Sequence, residues 1–71
     1  MNDQTLTKEF LNDILMTQSR ILQGSIPSVV LRYNEETMTL FVNTNSYKVP
    51  EPTIRSFLCS LYYGIHQFLA N

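Results

Sequence analysis

Hydrophobic residues recur at three-, four- and seven-residue steps through Leu6, Phe10, Leu11, Ile14, Leu15, Ile21 and Leu22, which is the period of an amphipathic helix. At about 100° per residue they cover nearly half of the helix circumference, with Lys8, Asn12, Ser19 and Gln23 opposite. The spacing predicts a helix over about residues 3–23, closed by Gly24 in the left-handed conformation. Gln18 interrupts the apolar arc with an amide that needs hydrogen-bond partners if buried; it is expected at the edge of the core or bonded to a nearby carbonyl. Met16, on the polar side, is expected to be exposed.

After Gly24 the period changes to two. Val29, Leu31 and Tyr33 alternate with Ser28, Val30 and Arg32, and the β-branched content fits a strand over about residues 27–33. A polar turn, Asn34-Glu35-Glu36-Thr37, separates it from a second alternating run in which Met38, Leu40 and Val42 share one face and Thr39, Phe41 and Asn43 the other. This predicts a strand over about residues 38–43, paired with the first as an antiparallel hairpin. A third short strand can follow at about residues 46–49, beyond Thr44-Asn45-Ser46 and ended by Pro50, so that the sheet has two or three strands.

Pro50-Glu51-Pro52-Thr53 is a stiff connector in which Glu51 or Thr53 can cap the next helix and Pro52 suits its first turn. The helical period then returns over about residues 52–70. Ile54, Phe57, Leu58, Leu61, Tyr62, Ile65, Phe68 and Leu69 fill an arc of roughly 140°, enough to cover one side of a three-stranded sheet. Cys59, Tyr63 and Ala70 point nearly the other way. Ser56, Ser60 and Gly64 follow at four-residue intervals, a smooth strip suited to close approach by another helix. A glycine inside a helix costs about 1 kcal/mol relative to alanine, and such a contact would account for it.

These elements define a single α+β domain over residues 1–71 of order α-β-β-(β)-α, an antiparallel hairpin or three-stranded meander packed against two helices. Length then bears on association. A chain this short buries only around 60% of its unfolded surface, and small domains gain extra stability from disulfides, a structural metal or an oligomer. The single Cys59 excludes an internal disulfide, which leaves oligomerisation, expected as a two-fold homodimer. The interface is expected at Ser56, Phe57, Cys59, Ser60, Tyr63, Gly64 and Phe68.

Charge supports the same reading. Charged residues make up 15% of the chain, against roughly 25% in an average soluble domain. From Thr37 onward the only charged side chains are Lys48, Glu51 and Arg55, so the second half holds the surface least suited to water. The amino terminus, Met1-Asn2-Asp3-Gln4, lacks a signal-like basic and apolar pattern. The run Ile54 to Ala70 is broken by Arg55, Ser56, Ser60, Gly64, His66 and Gln67, short of about 18 clean apolar residues. No membrane span is expected, and one unpaired cysteine suits a cytoplasmic setting.

Candidate chemistry is sparse. Cys59 and His66, a conceivable nucleophile and base, stand seven residues apart on one helix, about 10 Å along its axis, where such a pair needs about 3 Å. With one cysteine, one histidine and Glu35-Glu36 as the only adjacent acids, no zinc or calcium pattern is present, and neither metal nor cofactor is expected. The five basic residues, Lys8, Arg20, Arg32, Lys48 and Arg55, are scattered, and the net charge is −1, unlike the basic stripe that tracks phosphate. A dimer that gathered Arg32 or Arg55 near stacking faces at Tyr33, Phe41 and Tyr47 is the remaining route to nucleic acid.

In element order and charge sign, a helix, an antiparallel hairpin or meander and a dimer-forming helix, the chain resembles the first half of small acidic secretion chaperones. That resemblance implies a chaperone-like partner role as one alternative. The residues themselves predict a non-enzymatic protein-binding module: a homodimeric regulator, inhibitor or adaptor that also binds an unidentified protein target. The alternatives are a dedicated subunit or chaperone-like partner of a larger protein and a nucleic-acid-binding regulator.

Overall fold

Thr7 starts the first helix, α1 (Lys8–Gln23). Its backbone is extended, with φ −118° and ψ 157°, and its Oγ1 accepts a hydrogen bond from the Phe10 N–H at 3.1 Å, satisfying one of the donors a helix start leaves open. The computed structural model describes residues 4–70. The expected start near Asp3 lies outside the described residues. Gln4 to Leu6 are not helical, because their backbone is engaged elsewhere: Leu6 N–H donates to Pro52 O at 3.0 Å and Ile54 N–H to Gln4 O at 2.8 Å, with Thr5 paired to Thr53. Replacing Thr7 with alanine lowers stability by about 1 kcal/mol, read as a lower urea midpoint at unchanged slope, and serine at this position retains the wild-type value.

At the other end of α1 Gly24 keeps right-handed angles, φ −60° and ψ −30°, contrary to the left-handed closure expected. Ser25 N–H and Ile26 N–H both bond back to Leu22 O, at 3.0 and 2.8 Å, and the ladder stops there because Pro27 has no N–H to continue it.

Three antiparallel strands follow, β1 (Leu31–Asn34), β2 (Thr39–Val42) and β3 (Asn45–Lys48), in spatial order β1-β2-β3. Of the two alternatives the sequence leaves open, the structure has the three-stranded meander. Each strand is four residues long, shorter than the alternation suggested for the first two. At the start of β1, Pro27 and Ser28 are in a turn, and Val30 N–H bonds to the Asn43 side chain at 2.8 Å while Val30 O accepts from Asn43 N–H at 2.9 Å. The turn between β1 and β2 is closed by Asn34, whose Oδ1 accepts from the N–H groups of Glu36 and Thr37 at 2.9 and 3.2 Å, an Asx-turn geometry.

Met38 and Asn43 have φ of 52° and 56°, left-handed values that asparagine tolerates and that cost other L-residues about 1–2 kcal/mol. Asn43 therefore belongs to the β2–β3 turn and Met38 to the β1–β2 turn, which shortens the second strand from both ends. Met38 is held there by its carbonyl, which accepts from Val49 N–H at 2.9 Å.

The pleat matches the sequence alternation. Leu31, Leu40 and Val42 are buried on the inner face, with Tyr33 and Tyr47 half-buried beside them. Arg32, Phe41 and Ser46 stand in register on the outer face, with the Arg32 guanidinium 4.9 Å from the Phe41 ring centroid. The second helix, α2 (Ile54–Ala70), begins at Thr53, whose Oγ1 accepts from Ser56 N–H at 3.2 Å; Pro52 therefore precedes the cap and does not enter the first turn. α2 lies across β2 and β3, and α1 lies against β1, so both helices cover one face and the outer face stays open. The core is Leu11, Leu22, Val29, Leu31, Leu40, Val42, Val49, Phe57 and Leu61.

Candidate functional site

α2 turns Phe57, Leu61 and Gly64 onto the sheet. Phe57 is completely buried, its ring edge-on to Tyr33 at 5.2 Å and to Phe10 at 6.5 Å between centroids. Burial raises the Tyr33 hydroxyl pKa above its ordinary value, with Glu35 nearby adding to the effect. At Gly64 an added Cβ would meet the Tyr47 ring and Val42 Cγ2 at 3.1 Å. The close neighbour this glycine admits is the sheet of its own chain. Phe57 and Gly64, expected at an intermolecular interface, are thus core residues of the protomer, because β2 and β3 supply the surface that a second helix was expected to provide.

Helical steps of 100° set the rest of α2 on two flanks. Ser56 and Ser60 lie on the flank toward β3, where Ser60 Oγ donates to Lys48 O at 2.9 Å. With Tyr63 and Cys59, both exposed, they line a groove of about 560 Å³ beside β3 that also includes Ser46, Tyr47, Lys48, Pro50 and Arg55. Tyr47 and Tyr63 meet edge to face at 5.8 Å in it. Of the expected interface set, Ser56, Cys59, Ser60 and Tyr63 are brought together here, whereas Phe68 is half-buried against the core.

The opposite flank of α2 is apolar throughout. Ile54, Leu58, Tyr62, Ile65 and Leu69 fall within an arc of about 80°, on the side away from β3 and hence toward α1. On α1, Phe10, Ile14 and Ile21 share one flank, and the Phe10–Phe57 ring contact shows that it faces α2. The two helices are tied at their starts by the Thr5–Thr53 bridge, yet no Cα of one lies within 8 Å of the other among the described residues. Ile14, Leu58 and Ile65 are half-buried, while Ile21, Tyr62 and Leu69 remain 64%, 52% and 57% exposed. Ile21 belongs to the apolar arc of α1 by its period, yet it is the most exposed of these residues. The signal that marks this flank in the sequence is the width of the α2 arc, broader than one small sheet can occupy.

The basic residues form no stripe: Lys8 and Arg20 sit at opposite ends of α1, Arg32 on the outer sheet face, Lys48 on β3 and Arg55 at the start of α2. Among the described residues no three His, Cys, Asp or Glu side chains gather as metal ligands, and no helix is long and apolar enough to cross a membrane. Met16 is exposed as expected, and Gln18 is half-buried.

Fold and surface together define a small α+β domain, an antiparallel three-stranded sheet covered on one face by two helices. Comparison with protein-family models, with curated proteins and with solved structures finds no match.

Proposed function

We propose that this chain is a non-enzymatic protein-binding module that works as a homodimeric regulator, inhibitor or adaptor, associating through the facing apolar flanks of α1 and α2. The observation that carries this reading is the exposure of Ile21, Tyr62 and Leu69 alongside half-buried Ile14, Leu58 and Ile65. Isolated exposed hydrophobics are ordinary on a soluble protein; a contiguous set marks a contact surface. Covering it gives a chain of this length the burial its own core lacks. The same flank would serve a dedicated subunit or chaperone-like partner of a larger protein, so the occupant decides between the two readings.

The test is mass in solution. Light scattering is expected to give about twice 8.2 kDa, and the double variant Tyr62→Glu with Leu69→Glu is expected to give the single-chain mass. Both side chains are more than half exposed in the single chain, so the variant is expected to stay folded, with an unfolding midpoint that no longer rises with protein concentration as that of a dimer does. A wild-type chain that stays at 8.2 kDa at every concentration removes the homodimer reading and leaves the dedicated-partner one.

A further inference from the structure

We propose that the groove between the open edge of β3 and α2 takes an extended, acidic segment of a partner protein as a fourth strand of the sheet. This site is separate from the α1–α2 flanks. Its basis is the phase of the β2–β3 ladder. Val49 N–H bonds to Met38 O at 2.9 Å, and antiparallel pairs alternate between hydrogen-bonded and non-hydrogen-bonded. Leu40 with Tyr47, and Val42 with Asn45, are therefore the hydrogen-bonded pairs, and Ser46 and Lys48 turn their backbone N–H and C=O groups outward. Lys48 O already accepts from Ser60 Oγ at 2.9 Å and retains a second lone pair. Ser46 and Lys48 are exposed, so a ready template for strand addition stands at this edge.

The groove supplies what an edge alone does not, a choice of side chains. Alternate residues of an added strand point to opposite faces. Those pointing inward enter the groove beside Tyr63 and Cys59, which suits apolar side chains; those pointing outward run along Ser46 and Lys48. Among the described residues the charged side chains lining the groove are Lys48 and Arg55, and no carboxylate lines it. Lys48 Nζ donates to Thr37 O at 2.8 Å, a bond to a neutral carbonyl and not to a carboxylate. Carboxylates are the complement. The β1 edge offers no such preference, because the hollow beside it carries Glu35 and Glu36 as well as Lys8 and Arg32.

The probe is a fluorescein-labelled hexapeptide, Glu-Val-Glu-Leu-Glu-Val, compared with Lys-Val-Lys-Leu-Lys-Val against the full chain at low salt by anisotropy, with amide NMR to locate it. The acidic peptide is expected to bind at least ten-fold more tightly, a difference of about 1.4 kcal/mol, and to shift the Ser46 and Lys48 amides. Ser46→Pro removes an N–H that the ladder does not use, a substitution edge strands tolerate, and is expected to weaken acidic-peptide binding at least ten-fold. Lys48→Glu is expected to reverse the preference, and the Tyr62→Glu, Leu69→Glu variant to bind as the wild type does, which separates this proposal from the flank reading. Equal affinity for both peptides, or shifts at Leu31 and Tyr33 or on the α1–α2 flanks, would overturn the proposal. So would unchanged binding by Ser46→Pro, or conversion of a dimer to a monomer by that variant, which would assign the edge to a second copy.

Discussion

Phe57→Ala is expected to remove roughly half of the stability of the chain, a loss of about 3–5 kcal/mol. A domain of 71 residues holds about 4–11 kcal/mol in total, so one ring is a large share. Phe57 is fully buried and is where α1, α2 and the sheet meet, through Phe10 on one side and Tyr33 on the other. Alanine leaves a cavity bounded by aromatic rings on separate elements, which cannot all close on it at once. Urea unfolding followed by circular dichroism measures the loss. Phe41→Ala, on the open face of the sheet under Arg32, serves as the contrast and is expected to cost no more than about 1 kcal/mol, the scale of an exposed cation–π contact. Equal losses for the two phenylalanines would contradict a core confined to one face.

Gly64→Leu is expected to cost about 3 kcal/mol, at the upper end of the usual range for overpacking. A Cβ alone would stand 3.1 Å from the Tyr47 ring and from Val42 Cγ2, and a full leucine side chain extends further into the same space. Val42 is fully buried and cannot yield, so the helix must lift from the sheet. Alanine is the finer probe. It gains about 1 kcal/mol of helix propensity but needs Val42 and Tyr47 to give way, and a net loss of up to about 1 kcal/mol is expected. The quantity to follow is the unfolding midpoint. Had the glycine admitted a helix of another copy, leucine would change the mass in light scattering and leave the stability of the single chain unaltered.

Much of the fold is legible in local pattern. The 3.6-residue period of Leu11 and Leu22 and the two-residue period of Leu31, Leu40 and Val42 place each on the face where the structure buries it. What escapes that reading depends on partners distant in sequence. The amino-terminal residues look compatible with helix until Leu6 and Gln4 pair with Pro52 and Ile54, nearly fifty positions away. Met38 has the alternation of a strand residue, yet the turn requires positive φ there. The candidate site divides in the same way. An apolar surplus on α2 is visible in its arc, but the sequence assigned the close contact of Gly64 to another helix when it belongs to Tyr47 and Val42.

By itself, then, the sequence determined element type, order and inward face, because helix and strand periods arise from backbone geometry repeated between near neighbours. Only the tertiary structure decided where α1 begins, what lies against Gly64, and which apolar residues remain in water. Those outcomes depend on how far apart the two helices sit over a sheet wide enough to hold them separately, a distance that no residue encodes alone.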